Sequence, residues 1–232
     1  MLDAIRWDPQ LIDRYYCAGP RYTSYPTAVQ LHDGVSEFEF LQALRDSRKA
    51  LRPLSLYIHV PFCANICYFC TCNKVITQDR SRTQAYLHSL NSEIATTARH
   101  LSHQQRVQQL HFGGGSPTFL SHDDLRQLMQ CLRQHFQLLN DDSGDYSIEI
   151  DPRETDWATM GLLRELGFNR ISLSLQDLEP QVQRAINRLQ SLEQTRSVLE
   201  AARTLQFRSV NIDLIYGLPK QTPESFTRTL DE

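Results

Sequence analysis

The chain has 232 residues, of which 41% are hydrophobic and 22% are charged, as is typical of a globular domain with a substantial core. Its formal net charge of -3 gives no reason to expect a nucleic-acid-binding surface. No apolar run approaches the roughly 20 residues that a membrane span requires, and the N-terminus lacks the basic and apolar segments of a secretory signal. We therefore expect a cytoplasmic protein that binds no nucleic acid and spans no membrane.

Short strand-like runs alternate with helical stretches along the chain. The strand candidates are Leu54–Val60, Val107–Phe112, Tyr146–Asp151, Arg170–Leu175 and Ser209–Tyr216. Two helical candidates are Thr83–His100 and Ser191–Leu205, and a third begins at a capping box formed by Ser121 and Asp124 and runs to about Phe136. A fourth is capped by Thr155 and ends at Gly167, and a fifth begins at Thr222. Strands alternating with helices predict parallel βαβ units. We place an N-terminal segment at residues 1–52 and an α/β domain at residues 53–232.

Each strand candidate alternates apolar and polar residues. In an ordinary eight-stranded α/β barrel the interior is filled with branched apolar side chains. Here the polar set is Tyr57, His59, Gln109, His111, Glu149, Asp151, Ser172, Ser174, Gln176, Asn211 and Asp213. With a side-chain period of two, the apolar set faces the covering helices and the polar set faces inward. The pattern predicts an open, partial barrel of five parallel strands that holds a polar ligand. The alternative is that some strands are antiparallel with a solvated face.

Four of the six cysteines lie within ten residues, directly after the first strand: Cys63, Cys67, Cys70 and Cys72. Cytosolic thiols stay reduced, so this spacing indicates metal binding or catalysis rather than disulfides. Three thiolates with the spacing Cys-x3-Cys-x2-Cys can hold an iron–sulfur cluster and leave one iron open. A zinc site is the alternative, although structural zinc normally uses two separated Cys-x2–4-Cys halves. Cys131, in a helical pattern, is expected to be a buried inert thiol.

The whole pattern resembles the oxygen-independent coproporphyrinogen III oxidase (dehydrogenase) family of the radical S-adenosylmethionine (SAM) superfamily. Besides the cysteine segment, the resemblance rests on the segments 19–27 (GPRYTSYPT), 56–62 (LYIHVPF), 70–74 (CTCNK), 111–118 (HFGGGSPT), 148–154 (IEIDPRE), 168–172 (FNRIS) and 211–226 (NIDLIYGLPKQTPESF). It implies a [4Fe–4S] cluster on Cys63, Cys67 and Cys70, and two bound SAM molecules. It also implies a 5′-deoxyadenosyl radical that starts the oxidative decarboxylation of two propionates of coproporphyrinogen III to vinyl groups, giving protoporphyrinogen IX in haem biosynthesis. An electron donor such as flavodoxin or ferredoxin, and a monomeric state, follow from the same resemblance.

The resemblance also implies the cofactor contacts. These are Tyr57, Phe69, Gly114, Gly115, Ser116 and Glu149, together with Gln176, Arg188 and Asp213 for the second SAM. Glycine would let backbone amides approach a ligand carboxylate closely. Gln176 and Asp213 also belong to the inward polar set, whereas Arg188 lies in a helical stretch and by itself would be a surface charge. The alternatives for the others are a plain glycine turn, a solvated carboxylate and core aromatics.

Three further expectations depend on the resemblance. Cys72, which the related haem-chaperone group replaces with an aromatic, should point away from the three ligands and act in turnover. Arg21 and Tyr22, in a substrate-binding or lid-like N-terminal segment, should help to position substrate carboxylates, since arginine pairs with them at two points. The sequence ends after five strands, whereas the family continues with a sixth strand and a C-terminal helical domain, so we expect little or no substrate turnover. The alternatives are a haem-binding chaperone and a zinc-stabilised structural domain.

Overall fold

The computed structural model describes residues 7–17 and 27–232, so Arg21 and Tyr22 lie outside the described residues. The chain forms two compact units, Met1–Ala43 and Leu44–Glu232. The helices are α1 (Pro9–Tyr15), α2 (Glu37–Lys49), α3 (Arg82–Ala98), α4 (His122–His135), α5 (Trp157–Leu166), α6 (Pro180–Ala185), α7 (Leu192–Thr204) and α8 (Pro223–Asp231). The strands are β1 (Leu54–Val60), β2 (Phe62–Cys63), β3 (Val75–Ile76), β4 (Arg106–Gly114), β5 (Gln137–Leu138), β6 (Asp145–Ile150), β7 (Arg170–Gln176) and β8 (Ser209–Leu214).

In the first unit, the short helix α1 begins with a proline and is capped by Asp8. The Asp8 Oδ1 atom accepts hydrogen bonds from the backbone amides of Gln10 at 3.0 Å and Leu11 at 3.1 Å. This satisfies two of the amides that a helix start leaves without partners. None of the residues of α1 is buried.

The second unit contains one parallel sheet with the strand order β1-β4-β6-β7-β8, and the short β5 pairs with β4. The five predicted strands and their parallel pairing are therefore confirmed. Two strands run further than predicted: β4 extends through Gly114, and β7 extends to Gln176. The register aligns Tyr57 with His111 and Glu149 with Ser172, so inward-facing polar residues of neighbouring strands lie side by side. The carboxyl ends of all five long strands meet at one edge of the sheet.

The apolar residues of β4, β6 and β7 form the core, as the alternation predicts, whereas on β8 Ile212, which was predicted to pack against the helices, is 40% exposed. Leu110, Phe112, Ile148 and Leu173 are completely buried, and they pack in one cluster with apolar residues of α3, α4, α5 and α7. The Phe112 ring meets the Phe168 ring edge to face, with a centroid distance of 5.0 Å. Full burial of such side chains stabilises the fold by about 1.5–3 kcal/mol each. The core therefore lies between the sheet and the helices, and the polar face of the sheet is left for a ligand.

Most helix ends follow the predicted signals. Ser121 and Asp124 form a complete capping box, and Gly167 ends α5 with a left-handed φ of 103°. The prediction that Thr155 caps α5 is wrong, because Asp156 is the N-cap and its Oδ1 accepts from the Thr159 amide at 2.8 Å. Thr155 Oγ1 instead donates to the Asp151 carbonyl at 2.8 Å. No helix within the described ranges is long and apolar enough to cross a membrane.

Candidate functional site

The cysteine segment leaves the carboxyl end of β1 and is held at both of its sides. At its base, the Val75 amide donates to the Pro61 carbonyl at 2.7 Å and the Thr77 amide donates to the Cys63 carbonyl at 3.0 Å. On its other side, Asn187 Nδ2 donates to the Ile66 carbonyl at 2.7 Å. The Lys74 ammonium group crosses the segment and donates to the Cys70 carbonyl at 2.8 Å. These bonds fix the backbone that carries the thiols.

The cysteine segment and the carboxyl ends of the strands enclose a cavity of about 290 Å³. Among the described residues that we predicted as site residues, all but Tyr57 line it: Cys63, Cys67, Phe69, Cys70, Cys72, Gly114, Gly115, Ser116, Glu149, Gln176, Arg188 and Asp213. A larger and more open depression of about 530 Å³ lies beside the first turns of α5 and α7. None of the cysteines lines that depression, so the smaller cavity is the candidate site.

The glycine turn at the end of β4 packs directly against the cysteine segment. Its amides are already used within the protein: Gly115 donates to the Val60 carbonyl at 2.8 Å and Ser116 to the Phe62 carbonyl at 2.7 Å. The Gly114 amide donates to Glu149 Oε2 at 3.2 Å. All three amides thus have partners within the protein, and the expectation that they approach a ligand carboxylate stays a prediction. The glycines are needed for close backbone contact, since a Cβ on Gly115 would lie 2.6 Å from the Phe62 carbonyl oxygen.

The carboxylate of Glu149 is oriented by a small network on the inner face of the sheet. His111 Nε2 lies 3.4 Å from Glu149 Oε1, and His111 Nδ1 lies 2.6 Å from Ser147 Oγ. The ring of Tyr57 stacks on His111 with a centroid distance of 5.5 Å. Tyr57 is 57% exposed and thus stands beside the cavity rather than in its lining. The partial burial of the Tyr57 ring raises the pKa of its hydroxyl, and the nearby Glu149 carboxylate makes a smaller contribution in the same direction. The hydroxyl therefore stays protonated.

The opposite wall carries Gln176 and Asp213. The Asp213 carboxylate accepts from Ser172 Oγ at 2.9 Å and from Asn211 Nδ2 at 2.7 Å. Gln176 is buried and has a φ of 71°, a conformation that costs a residue other than glycine about 1–3 kcal/mol and is common at binding sites. Its carbonyl accepts from the Ile215 amide at 3.1 Å. Both side chains are thus placed at the end of the polar face, as predicted.

Arg188 lies in the connection between α6 and α7 and is 6% exposed, so its assignment to a helical stretch is wrong. From the sequence alone, Arg188 was expected to be an exposed surface charge. Its burial could not be predicted, because the residues that it contacts are distant in the sequence. Its Nη1 atom lies 3.2 Å from Asp151 Oδ2 and 3.6 Å from Cys67 Sγ. Its Nη2 atom donates to the Ser174 carbonyl at 2.6 Å. The cavity therefore contains a buried cation next to a predicted cluster ligand.

The thiols influence one another. Burial, with smaller contributions from Cys70 and Cys67, raises the pKa of Cys63 to about 11. Cys63 must therefore lose a proton when it binds a metal. Burial and the neighbouring Cys70 also raise the pKa of Cys72, whose thiol lies within hydrogen-bonding reach of Cys70. The expectation that Cys72 points away from the three ligands is wrong, because its thiol lies beside that of Cys70 and both residues line the cavity. Cys131, expected to be buried, is half-buried against the core.

Within residues 7–17 and 27–232, no group of three or more histidine, cysteine, aspartate or glutamate side chains is arranged to hold a single metal ion. The geometry thus adds no support for the zinc alternative. A cluster occupies a larger volume than one ion, and the three thiols, one buried and one partly buried guanidinium group and a cavity between them have the chemistry that an anionic iron–sulfur cluster requires.

The family model of the radical SAM superfamily matches residues 57–232. The chain belongs to the radical SAM superfamily. Membership implies a [4Fe–4S] cluster and SAM as cofactors, and the residues of the cavity fit both. The match includes the complete cavity lining, from the cysteine segment to β8.

The relatives point to one group within this superfamily. The chain is 68% identical, over its full length, to oxygen-independent coproporphyrinogen III oxidase of Pseudomonas aeruginosa, and 49% identical, over 97% of its length, to the Escherichia coli protein of that name. A solved structure of coproporphyrinogen III oxidase from Escherichia coli, described as a radical SAM enzyme, superposes on 98% of the chain with a TM-score of 0.87 and 46% identity. The chain spans about half the length of these relatives: 50%, 48% and 50% respectively.

Several cavity residues were not predicted as site residues. Arg153 and Glu154 line the cavity from the segment after β6, and Lys74 lines it from the end of the cysteine segment. Asp151 and Ser174 were placed correctly on the inner face by their period of two, and that signal could have included them. No periodicity extends to Arg153 or Glu154, since both follow the end of their strand.

Proposed function

We propose that this chain carries the radical SAM site of an oxygen-independent coproporphyrinogen III oxidase. The reaction converts two propionates of coproporphyrinogen III to vinyl groups with loss of carbon dioxide, and gives protoporphyrinogen IX in haem biosynthesis. The observation that carries the proposal is the single cavity that gathers the three cysteines with the strand-end residues. The 68% identity to a relative of that name supports the choice of substrate.

In this proposal Cys63, Cys67 and Cys70 hold a [4Fe–4S] cluster whose open iron takes SAM. When bound, the cluster and SAM supply one-electron radical chemistry. Phe69 and Tyr57 would flank the first SAM, and Glu149, held by the Gly114 amide, would attract its cationic amino group rather than its carboxylate. The close contact of Gly115 with the cysteine segment fixes the distance between the cluster and this part of the site.

A second SAM molecule would occupy the wall formed by Gln176, Arg188 and Asp213. Two carboxylates and a buried guanidinium group, Glu149, Asp213 and Arg188, all line the one cavity, and these groups complement the ammonium and carboxylate of an amino acid. Cys72, exposed at the edge of the cavity, is proposed to act in turnover and not as a ligand. Arg21 and Tyr22 are proposed to contact substrate carboxylates.

The electron donor would be a small one-electron carrier such as flavodoxin or ferredoxin, and we propose that the protein works as a monomer in the cytoplasm. The second candidate, a haem-binding chaperone, differs in needing no SAM cleavage. A haem titration of the pure protein separates the two, because stoichiometric haem binding without SAM cleavage would favour the chaperone.

The experiment is an anaerobic reconstitution followed by measurement of SAM cleavage with dithionite as reductant. We expect the unsubstituted chain to cleave SAM and Cys67→Ala to show no cleavage. Cys131→Ser is the matched control, since Cys131 lies outside the cavity, and it should cleave SAM at the unsubstituted rate. Equal cleavage by Cys67→Ala and Cys131→Ser would contradict the proposal. Product analysis with coproporphyrinogen III then tests the substrate.

A further inference from the structure

A pair of arginines encloses one buried carboxylate beside Cys67. Arg153 donates two hydrogen bonds to the Asp151 carboxylate, from Nε to Oδ1 at 2.9 Å and from Nη2 to Oδ2 at 2.6 Å. Arg188 reaches the same Oδ2 atom at 3.2 Å from the other side. Both guanidinium groups also contact the Cys67 thiol: Arg188 Nη1 lies 3.6 Å from Sγ, and Arg153 lies within hydrogen-bonding reach of it.

The charges in this group do not balance. Two guanidinium groups share one carboxylate, and the exposed fractions of the side chains are 20% for Arg153, 10% for Asp151 and 7% for Arg188. Glu154 also lines the cavity and accepts from Ser116 Oγ at 3.0 Å; its carboxylate offsets part of this positive charge, but within the described part of the chain no ion pair joins it to Arg153 or Arg188. In addition, Arg188 Nε has no hydrogen-bond partner among the described residues. A buried charge is costly unless it is paired, so two guanidinium groups on one carboxylate favour an anionic group next to Cys67.

We propose that Arg153, held in place by Asp151, supplies positive charge at Cys67 and raises the reduction potential of the cluster bound there. The inference rests on the proposed function, since it requires the cluster. Reduction by dithionite adds one electron and makes or breaks no bond, so the reduced state carries one more negative charge. A cation next to a ligand sulfur stabilises that state more than the oxidised one.

Arg153 is the better residue to test, because Arg188 is also a proposed contact of the second SAM and bonds the Ser174 carbonyl. Asp151 is a positioning residue in this scheme. Its two-point contact orients the Arg153 guanidinium group. In metalloproteins, carboxylates that do not bind the metal themselves orient the metal-binding side chains in the same way, through hydrogen bonds. Arg153 belongs to the turn that directly follows β6, a rigid strand in the middle of the sheet.

The test is a redox titration of the reconstituted 232-residue chain, followed by electron paramagnetic resonance, for the unsubstituted chain, Arg153→Gln and Arg153→Lys. We expect Arg153→Gln to shift the reduction equilibrium against the reduced cluster by at least about tenfold, which is ~59 mV for one electron. Arg153→Lys keeps the charge and should retain most of the unsubstituted potential. Arg164→Gln is the matched control: Arg164 forms a two-point pair with Asp142 at the opposite end of the sheet, at 3.0 and 2.9 Å.

The outcomes are distinct. If Arg153→Gln and the Arg164→Gln control titrate at the same potential, or if Lys and Gln at position 153 shift it equally, the inference is overturned while the proposed function stands. If Arg153→Gln is folded by circular dichroism but holds no cluster, and Arg153→Lys loads fully, the positive charge is what the cluster requires and the inference is supported. If the unsubstituted chain holds no cluster, the proposed function and the inference are both overturned.

Discussion

Replacement of Gly115 by alanine tests how closely the glycine turn must approach the cysteine segment. A Cβ at this position would lie 2.6 Å from the Phe62 carbonyl oxygen and 2.8 Å from the Pro61 carbonyl carbon and oxygen. These are backbone atoms, so no rotation of a flexible side chain can relieve the overlap. The segment that leads into Cys63 must therefore move away from the turn.

The cost follows from the contacts that this movement breaks. The Gly115 and Ser116 amides donate to the Val60 and Phe62 carbonyls at 2.8 and 2.7 Å. Each such bond contributes about 0.5–1.5 kcal/mol, and an overpacked site costs about 1–3 kcal/mol. The same movement of the backbone relieves the overlap and breaks these hydrogen bonds, so the two costs are not fully additive. We therefore expect Gly115→Ala to lower the free energy of unfolding by about 2–4 kcal/mol.

The assay is urea unfolding followed by circular dichroism, together with the iron content after reconstitution. Gly161→Ala is the matched control: Gly161 lies inside α5, and a Cβ there would meet nothing within 4 Å. Since alanine favours a helix over glycine by about 0.5–1 kcal/mol, the control should be equally stable or more stable. The reasoning is refuted if Gly115→Ala unfolds at the same urea concentration as the unsubstituted chain and binds as much iron.

Three further predictions concern the core, the buried ion group and Cys72. Phe112→Ala should lower the free energy of unfolding by about 3–5 kcal/mol, because Phe112 is fully buried and packs on Phe168; a change below 1 kcal/mol in urea unfolding would contradict the assigned core. Asp151→Asn should cost about 3–5 kcal/mol, since a buried charge pair loses one partner. Although burial opposes it, the hydrogen bonds from Arg153 and the charge of Arg188 hold the pKa of Asp151 below its ordinary 3.8. The part of this stabilisation that depends on the charge is therefore complete above pH 3.8 and is lost as the pH falls through the lower folded-state value. The difference in the free energy of unfolding between Asp151→Asn and the unsubstituted chain should narrow in acid, and a constant difference would refute the assignment. Cys72→Ser should keep its iron, since Cys72 is proposed to act in turnover and not as a ligand, and loss of the iron in the metal analysis would show that Cys72 is a ligand instead.

The fold could be predicted from the sequence to the extent that local periodicity determines it. Alternation with a period of two correctly predicted the buried side of β4, with Leu110 and Phe112, and the inner side of β6, with Glu149. It failed on β8, where Ile212 is 40% exposed. The capping box at Ser121 was also predictable, because its two partners are three residues apart. At the next helix, two adjacent residues were both suitable caps, and only the orientation of the chain selected Asp156 over Thr155.

The site was less predictable where its contacts join distant parts of the chain. Arg188 and Cys67 are 121 residues apart, and no local pattern brings a residue of the α6–α7 connection under the cysteine segment. The glycine turn could be recognised by its three consecutive glycines, but the partners of its amides depend on how β1 and β4 pair. The pairing places the turn beside Pro61 and Phe62, so the Gly115 and Ser116 amides donate to the Val60 and Phe62 carbonyls.

The central claim is that Cys63, Cys67 and Cys70 together hold one iron–sulfur cluster and that the other cysteines do not. The most direct measurement is the iron and acid-labile sulfide content, after anaerobic reconstitution, of the unsubstituted chain and of each single cysteine-to-serine variant. We predict equal amounts of iron and sulfide in the unsubstituted chain, Cys72→Ser and Cys131→Ser, and a large loss of both in the Cys63, Cys67 and Cys70 variants. An unsubstituted chain that folds and yet takes up neither iron nor sulfide, or variants at these three positions that retain both, would contradict the account.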